Sequence, residues 1–170
     1  HNLKPAYIDN IDLGWEWYPN AGEVISLSVF YKHFKNPIEW TYTVAGGTDL
    51  VYSYMNAESA DNYGVELDMR KQLDFLQLPQ LSLSLNASLI KSSVNFPKGS
   101  RENDRPMQGQ SPYLINAGVF YNSDLGNATR TWQKGWTAAL LYNIIGKRII
   151  GVGRSIGSGE TDVRVPDSYE

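Results

Sequence analysis

Polar and apolar residues alternate along most of this chain with a period of two, the mark of extended strands with one dry and one wet face. In the first stretch Ile11, Leu13, Trp15 and Trp17 alternate with Asn10, Asp12, Gly14 and Glu16. After a short turn at Pro19 to Gly22 the pattern resumes, with Ile25, Leu27, Val29 and Tyr31 against Ser26, Ser28 and Lys32, which predicts a hairpin. The segment NYGVELDMRKQL sets Tyr63, Val65, Leu67 and Met69 opposite Asn62, Gly64, Glu66, Asp68 and Arg70. LSLSLNASLIKS sets Leu81, Leu83, Leu85, Ala87 and Leu89 opposite Ser82, Ser84, Asn86 and Ser88. YLINAGVFYN places Tyr113, Ile115, Ala117, Val119 and Tyr121 against Asn116, Gly118 and Asn122. A sixth strand is predicted in GWTAALLYNIIGKRIIGVG, where Trp136, Ala138, Leu140, Tyr142 and Ile144 share a face and Ala139 and Leu141 make the other only partly polar. No segment has the length of a helix; Asp74 to Pro79 is short and ends in proline.

Alternation alone fits a water-soluble sheet over a core or a membrane wall whose apolar face meets lipid. The connections alternate in length: Pro19 to Gly22 is short, Lys35 to Ala60 long, Asp74 to Gln80 short and Ser92 to Pro112 long and charged. Ser123 to Lys134 is intermediate, and Ile149 to Glu170 follows the sixth strand. That rhythm predicts an up-and-down meander with its turns on one side and its loops on the other, as in a transmembrane β-barrel. Six strands are fewer than the roughly eight of the smallest such barrels, so they are expected to be a slice of a larger wall.

Composition leaves the membrane reading standing. The apolar fraction is 42% and the longest apolar runs are far short of the roughly 18 residues of a membrane helix. A mean hydropathy of −0.37 is compatible with strands in which only every second residue is apolar. Five Trp and eleven Tyr suit a bilayer interface. Cysteine is absent, which removes disulfides and thiol chemistry. A net charge of −3 without a basic run argues against nucleic acid as a partner. The start at His1 has no signal-peptide character, so any export signal is expected outside this sequence.

Candidate chemistry is sparse. Glu66, Asp68 and Arg70 share a face, which fits charged rungs on a wet wall better than a catalytic pair. His33 would need a nucleophile or carboxylate beside it, and Ser26 and Ser28 carry no nucleophile motif, so no catalytic role is expected. His33 with Glu39 is too little for a metal site, and no cofactor is implied. The sequons at Asn86 and Asn127 match by pattern only. Trp40, Tyr42, Tyr52 and Tyr54 flank Gly46-Gly47 in the first long loop, where rings could stack on a sugar or chelate or simply pack the loop. Arg101 and Arg105, within SRENDR, either clamp a ligand or form ion pairs inside a solvated loop. Trp40, Tyr42, Arg101 and Arg105 are the candidate ligand contacts.

The strings NLKPAYIDNIDLGWEWYP, FYKHFKNPIE, NAESADNYGVELDMRKQL, SLIKSSV, DRPMQGQSPYLINAGVFYN and LYNIIGKRI, in this order, resemble the distal barrel of TonB-dependent receptors of the Bacteroidetes type. Asp104 to Tyr113 is the most specific stretch. The resemblance implies an all-β, antiparallel segment of a 22-stranded barrel in the Gram-negative outer membrane. It also implies a plug domain, the TonB complex as energy source, and metal chelates, glycans or peptides as cargo. Residues 1–170 would then be a partial barrel without plug or closing strands. Its partners would be the remaining strands, the plug, outer-membrane lipid and a surface lipoprotein. The competing class is a soluble antiparallel module, such as a glycan-binding sandwich.

Overall fold

The computed structural model describes residues 3–44, 50–98, 104–125, 135–153, 155–156, 163–164 and 168–170. The strands are β1 (Tyr7–Trp17), β2 (Val24–Lys35), β3 (Ile38–Val44), β4 (Leu50–Asn56), β5 (Ser59–Leu73), β6 (Leu78–Asn95), β7 (Tyr113–Asn122), β8 (Thr137–Ile145), β9 (Ile149–Gly151), β10 (Ser155–Ile156), β11 (Val163–Arg164) and β12 (Ser168–Tyr169). Six of them form one antiparallel sheet in the order β1-β2-β5-β6-β7-β8, which are the six strands the alternation predicts. The sheet is not closed; β1 and β8 are its edges. The pairs β3-β4, β9-β12 and β10-β11 stand apart from it.

Residues directly opposite in an antiparallel pair share a face, so the register converts six separate alternations into continuous rows. One row runs Trp15, Leu27, Leu67, Ala87, Ile115, Ile144, and the next runs Trp17, Ile25, Met69, Leu85, Ala117, Tyr142. The apolar face is thus unbroken from edge to edge. Among the described residues no second layer covers it: Leu13 is 70% exposed and Leu140 74%, while Val65, Leu67, Leu83 and Leu85 are half-buried only by their neighbours in the sheet. The register also fixes the sixth strand, where Leu141 and Ala139 lie on the opposite face with Gly118 and Phe120.

The short-turn end is tied together. Gly22 has φ +79°, which glycine adopts without strain, and the Glu23 amide donates to the Asn20 carbonyl to close the turn. The buried Glu23 carboxylate accepts from Lys71 at 2.7 and 2.8 Å, from the Gln72 amide at 3.0 Å and from Asn20 at 2.8 Å. It therefore latches the first turn onto the second hairpin, whose own turn is a 3-10 segment, Asp74–Leu76, shorter than the Asp74 to Gln80 connection read from sequence.

The long-loop end differs from expectation. The Lys35 to Ala60 stretch is not an open loop: β3 and β4 form a hairpin inside it. Strand β6 continues to Asn95, and the segment after it returns to form a β-bridge between Val94 and Arg105. Ala57, Ala60, Val94 and Phe96 form a small buried core, with Phe34, Met55 and Met107 against it. Phe34, Ala60 and Val94 lie opposite one another on the polar face, so both loops fold over that face and not over the apolar one.

Candidate functional site

On the polar face each strand contributes to one row: Glu16, Ser26, Asp68, Asn86, Asn116 and Asn143. Asn86 donates to Asp68 at 3.4 Å, Asn116 donates to Asn86 at 3.3 Å, and Asn143 donates to Asn116. Asn86 and Asn116 each give one N–H along the row and receive one, and Asn143 starts the chain, which ends on a carboxylate and polarises in one direction. Nearer the long loops the face is shaped by Phe30. A Cβ on Gly64 would lie 2.8 Å from its ring and 2.6 Å from the Leu89 carbonyl oxygen, so only glycine lets the ring lie across the opposite strand.

Above this face sits the loop cluster. Trp40 on β3 and Tyr54 on β4, opposite each other in the hairpin, have ring centroids 4.4 Å apart at 42°. Arg105 is a strut, not a free contact: its side chain is 3% exposed, its Nη2 donates to Glu39 at 3.1 Å, and its guanidinium lies 5.2 Å from the Phe96 ring centroid. The ion pair expected inside a solvated Ser100–Arg105 loop is not the one Arg105 makes: its partner is Glu39 of the other long connection, and the pair is buried. Tyr42 pairs with Tyr52 through the backbone, and Arg101 lies outside the described residues. The structure therefore places Trp40 and Arg105 in one cluster, on either side of Glu39. A cleft of about 370 Å³ opens beside them, and its lining includes Trp40, Glu39, Gln108 and Arg148. Gln108 and Arg148 were not legible as site residues, because they come from separate segments without a motif.

His33 lies on the apolar face, beyond its last aromatic row. Its Nδ1 is 2.9 Å from Asp61, and the Tyr31 hydroxyl donates to the same carboxylate at 2.7 Å. The carboxylate that catalysis would require is present. Ser26 and Ser28, however, share the register rows of Glu16 and Gly14 on the opposite face, so strand parity separates them from His33. Among the described residues no cluster of three or more His, Cys, Asp or Glu could hold a metal.

An antiparallel meander with an exposed apolar face, a polar opposite face and loops folded over the polar side is the wall of a membrane β-barrel. The model of the TonB-dependent receptor-like β-barrel family matches residues 1–169, and the chain belongs to that family. Its members are outer-membrane barrels that act with a plug domain of the same receptor and with TonB. No curated protein matches the chain.

Proposed function

We propose that this chain forms part of the wall, lumen and outer mouth of a TonB-dependent importer of the Bacteroidetes type, in a barrel of 22 strands, with no catalytic role of its own. The observation that carries this reading is the pair of continuous rows: an apolar band for lipid on one face and a hydrogen-bonded polar row for a wet lumen on the other. Cargo is a metal chelate, glycan or peptide, and its contacts come from the loop cluster, with Trp40 the exposed ring among the candidates. Tyr42 and Arg101 belong to the same proposal; Arg105 serves by holding Glu39 beside Trp40.

In this reading the turn at Ala21 faces the periplasm and the Pro97–Lys98 segment faces outside, because a membrane-crossing meander returns to the same side after every second strand. Cysteine introduced at Lys98 in intact cells should react with a membrane-impermeant maleimide, and cysteine at Ala21 should not. The reverse pattern would overturn the orientation. A full receptor that is monodisperse without detergent or lipid would overturn the membrane reading itself.

A further inference from the structure

The face opposite the lipid band is not polar throughout. Along the middle of β2, β5 and β6 it carries short hydroxyls and charged groups, among them Ser26, Ser28, Glu66, Ser84 and Ser88. On β7 and β8 it changes character. Phe120 lies opposite Ala139, and Gly118 opposite Leu141, on the register rows of Ser82 and Ser84. Gly118 is buried beneath its neighbours: a Cβ there would lie 2.8 Å from Cε2 of the Phe120 ring and 3.0 Å from Cδ2 of Leu141. The glycine thus lets a ring and an isobutyl group lean over one spot and form a low apolar platform, with Phe120 still 38% and Leu141 70% exposed. Leu141 stands on an edge strand, but a further strand beside β8 would extend the sheet sideways and leave this face uncovered. Asn116 and Asn143 border the platform on one side, Asn122 and Thr137 on the other.

An exposed apolar patch with a polar rim marks a surface for another protein segment. Lipid does not reach this one, because lipid meets the other face. The loop cluster does not cover it either: the loops fold over this face at Phe34, Ala60 and Val94, whereas Phe120 lies at the opposite end, just before the 3-10 turn Ser123–Leu125. Water is an unfavourable neighbour for a ring and an isobutyl group. What remains inside the barrel is the plug domain of the same receptor. We infer that Phe120 and Leu141 form the docking surface for an apolar patch of the plug, at the short-turn end of β7 and β8. The hydroxyl-lined face of β2, β5 and β6 stays separated from the plug by water, so the plug is held on one side of this wall and the passage opens on the other. The inference rests on the importer reading and names the seat of the plug within it.

The test is photo-crosslinking of the full receptor in isolated outer membranes. Benzoylphenylalanine replaces Phe120, or Ser28 on the hydroxyl-lined face as the comparison, and the adducts are mapped by mass spectrometry. Phe120 should give adducts within the plug, several-fold more than Ser28 does. Adducts from Phe120 confined to the barrel and its loops, or equal plug adducts from both positions, would overturn the docking surface and leave the importer reading standing. Lipid adducts from Phe120 would invert the two faces, and the importer reading would fail with the inference. A second measurement needs no photoreactive group. Leu141→Gln should loosen the plug and raise several-fold the influx of a hydrophilic antibiotic too large for ordinary porins, with the barrel still migrating as a folded band on unheated gels. Ser28→Gln should leave influx unchanged. Influx that stays low in folded Leu141→Gln, or rises equally in both variants, would also overturn the assignment, and if Leu141→Gln does not fold the crosslinks decide.

Discussion

The wall and the loop cluster solve the burial problem in opposite ways. In the wall, Leu13 and Leu140 stand exposed and only sheet neighbours shield Leu67 and Leu85, whereas in the cluster Val94 and Ala60 are completely buried within a few residues of the sheet's end. The same strands serve both: β5 and β6 run as lipid-facing ribbons and then, at Ala60 and Val94, become the floor of a core of the kind found in water-soluble proteins. Polar groups follow the same division. Asn86 and Asn116 remain on an open face, but Arg105 and Glu39 are withdrawn from water and pair through Nη2 alone. A single chain can thus use lipid as the partner of its apolar groups along one stretch and its own loops along the next.

The largest effect should come from the buried pair. Arg105→Met leaves Glu39 as an uncompensated buried carboxylate, at a cost of about 3–5 kcal/mol, and the double variant Arg105→Met with Glu39→Leu should recover most of it. Limited proteolysis should show the loss confined to the loops, with the barrel still migrating as a folded band on unheated gels. Loss of the folded band would mean that the two regions are one cooperative unit.

A smaller cost is expected in the wall. Leu85→Arg should cost about 2–4 kcal/mol near the bilayer midplane in denaturant titrations of the vesicle-inserted receptor. Ser84→Arg, one residue along and facing the other way, should cost far less. Equal costs would erase the distinction between the faces.

The smallest effect concerns the short-turn end. The Lys71 ammonium beside Glu23 is the main reason its carboxyl is held below the ordinary carboxylate range, with Asn20 and the Gln72 amide adding to it against the opposing effect of burial. Because the folded value is depressed, the stabilisation is fully present above the ordinary range and fades as pH falls through the lowered value. The melting temperature of the wild type should therefore drop in acid more than that of Glu23→Gln. Parallel profiles would show that the latch is not ionic.

What was legible in the sequence was local. Parity marks the rows, because two residues of spacing decide which face a side chain takes, and even the weak sixth strand resolves correctly once its register is known. The hairpin of β3 and β4 was hidden because Trp40, Tyr42, Tyr52 and Tyr54 read equally well as loop aromatics, and only their pairing reveals the strands. Glu23, Glu39 and Arg105 were not assigned as latches, since each partner lies tens of residues away and no motif announces it. The cleft has the same cause: Trp40, Gln108 and Arg148 meet only after three segments fold together.

The base of the β3-β4 hairpin is stitched shut. The Asn36 amide donates to Glu58 at 3.3 Å, and the Ala57 amide donates to Pro37 at 2.8 Å. The chain thus leaves β2 and re-enters β5 at almost the same point, and the pairing of those two strands takes no notice of what lies between. A segment inserted there behaves as an interchangeable fitting on a fixed mount. Length and composition between Trp40 and Tyr54 can drift, or be swapped by design, while Glu39 keeps its pair with Arg105 and the register that builds the wall stays where it is. New recognition can then arise at the mouth without renegotiating the passage through the membrane.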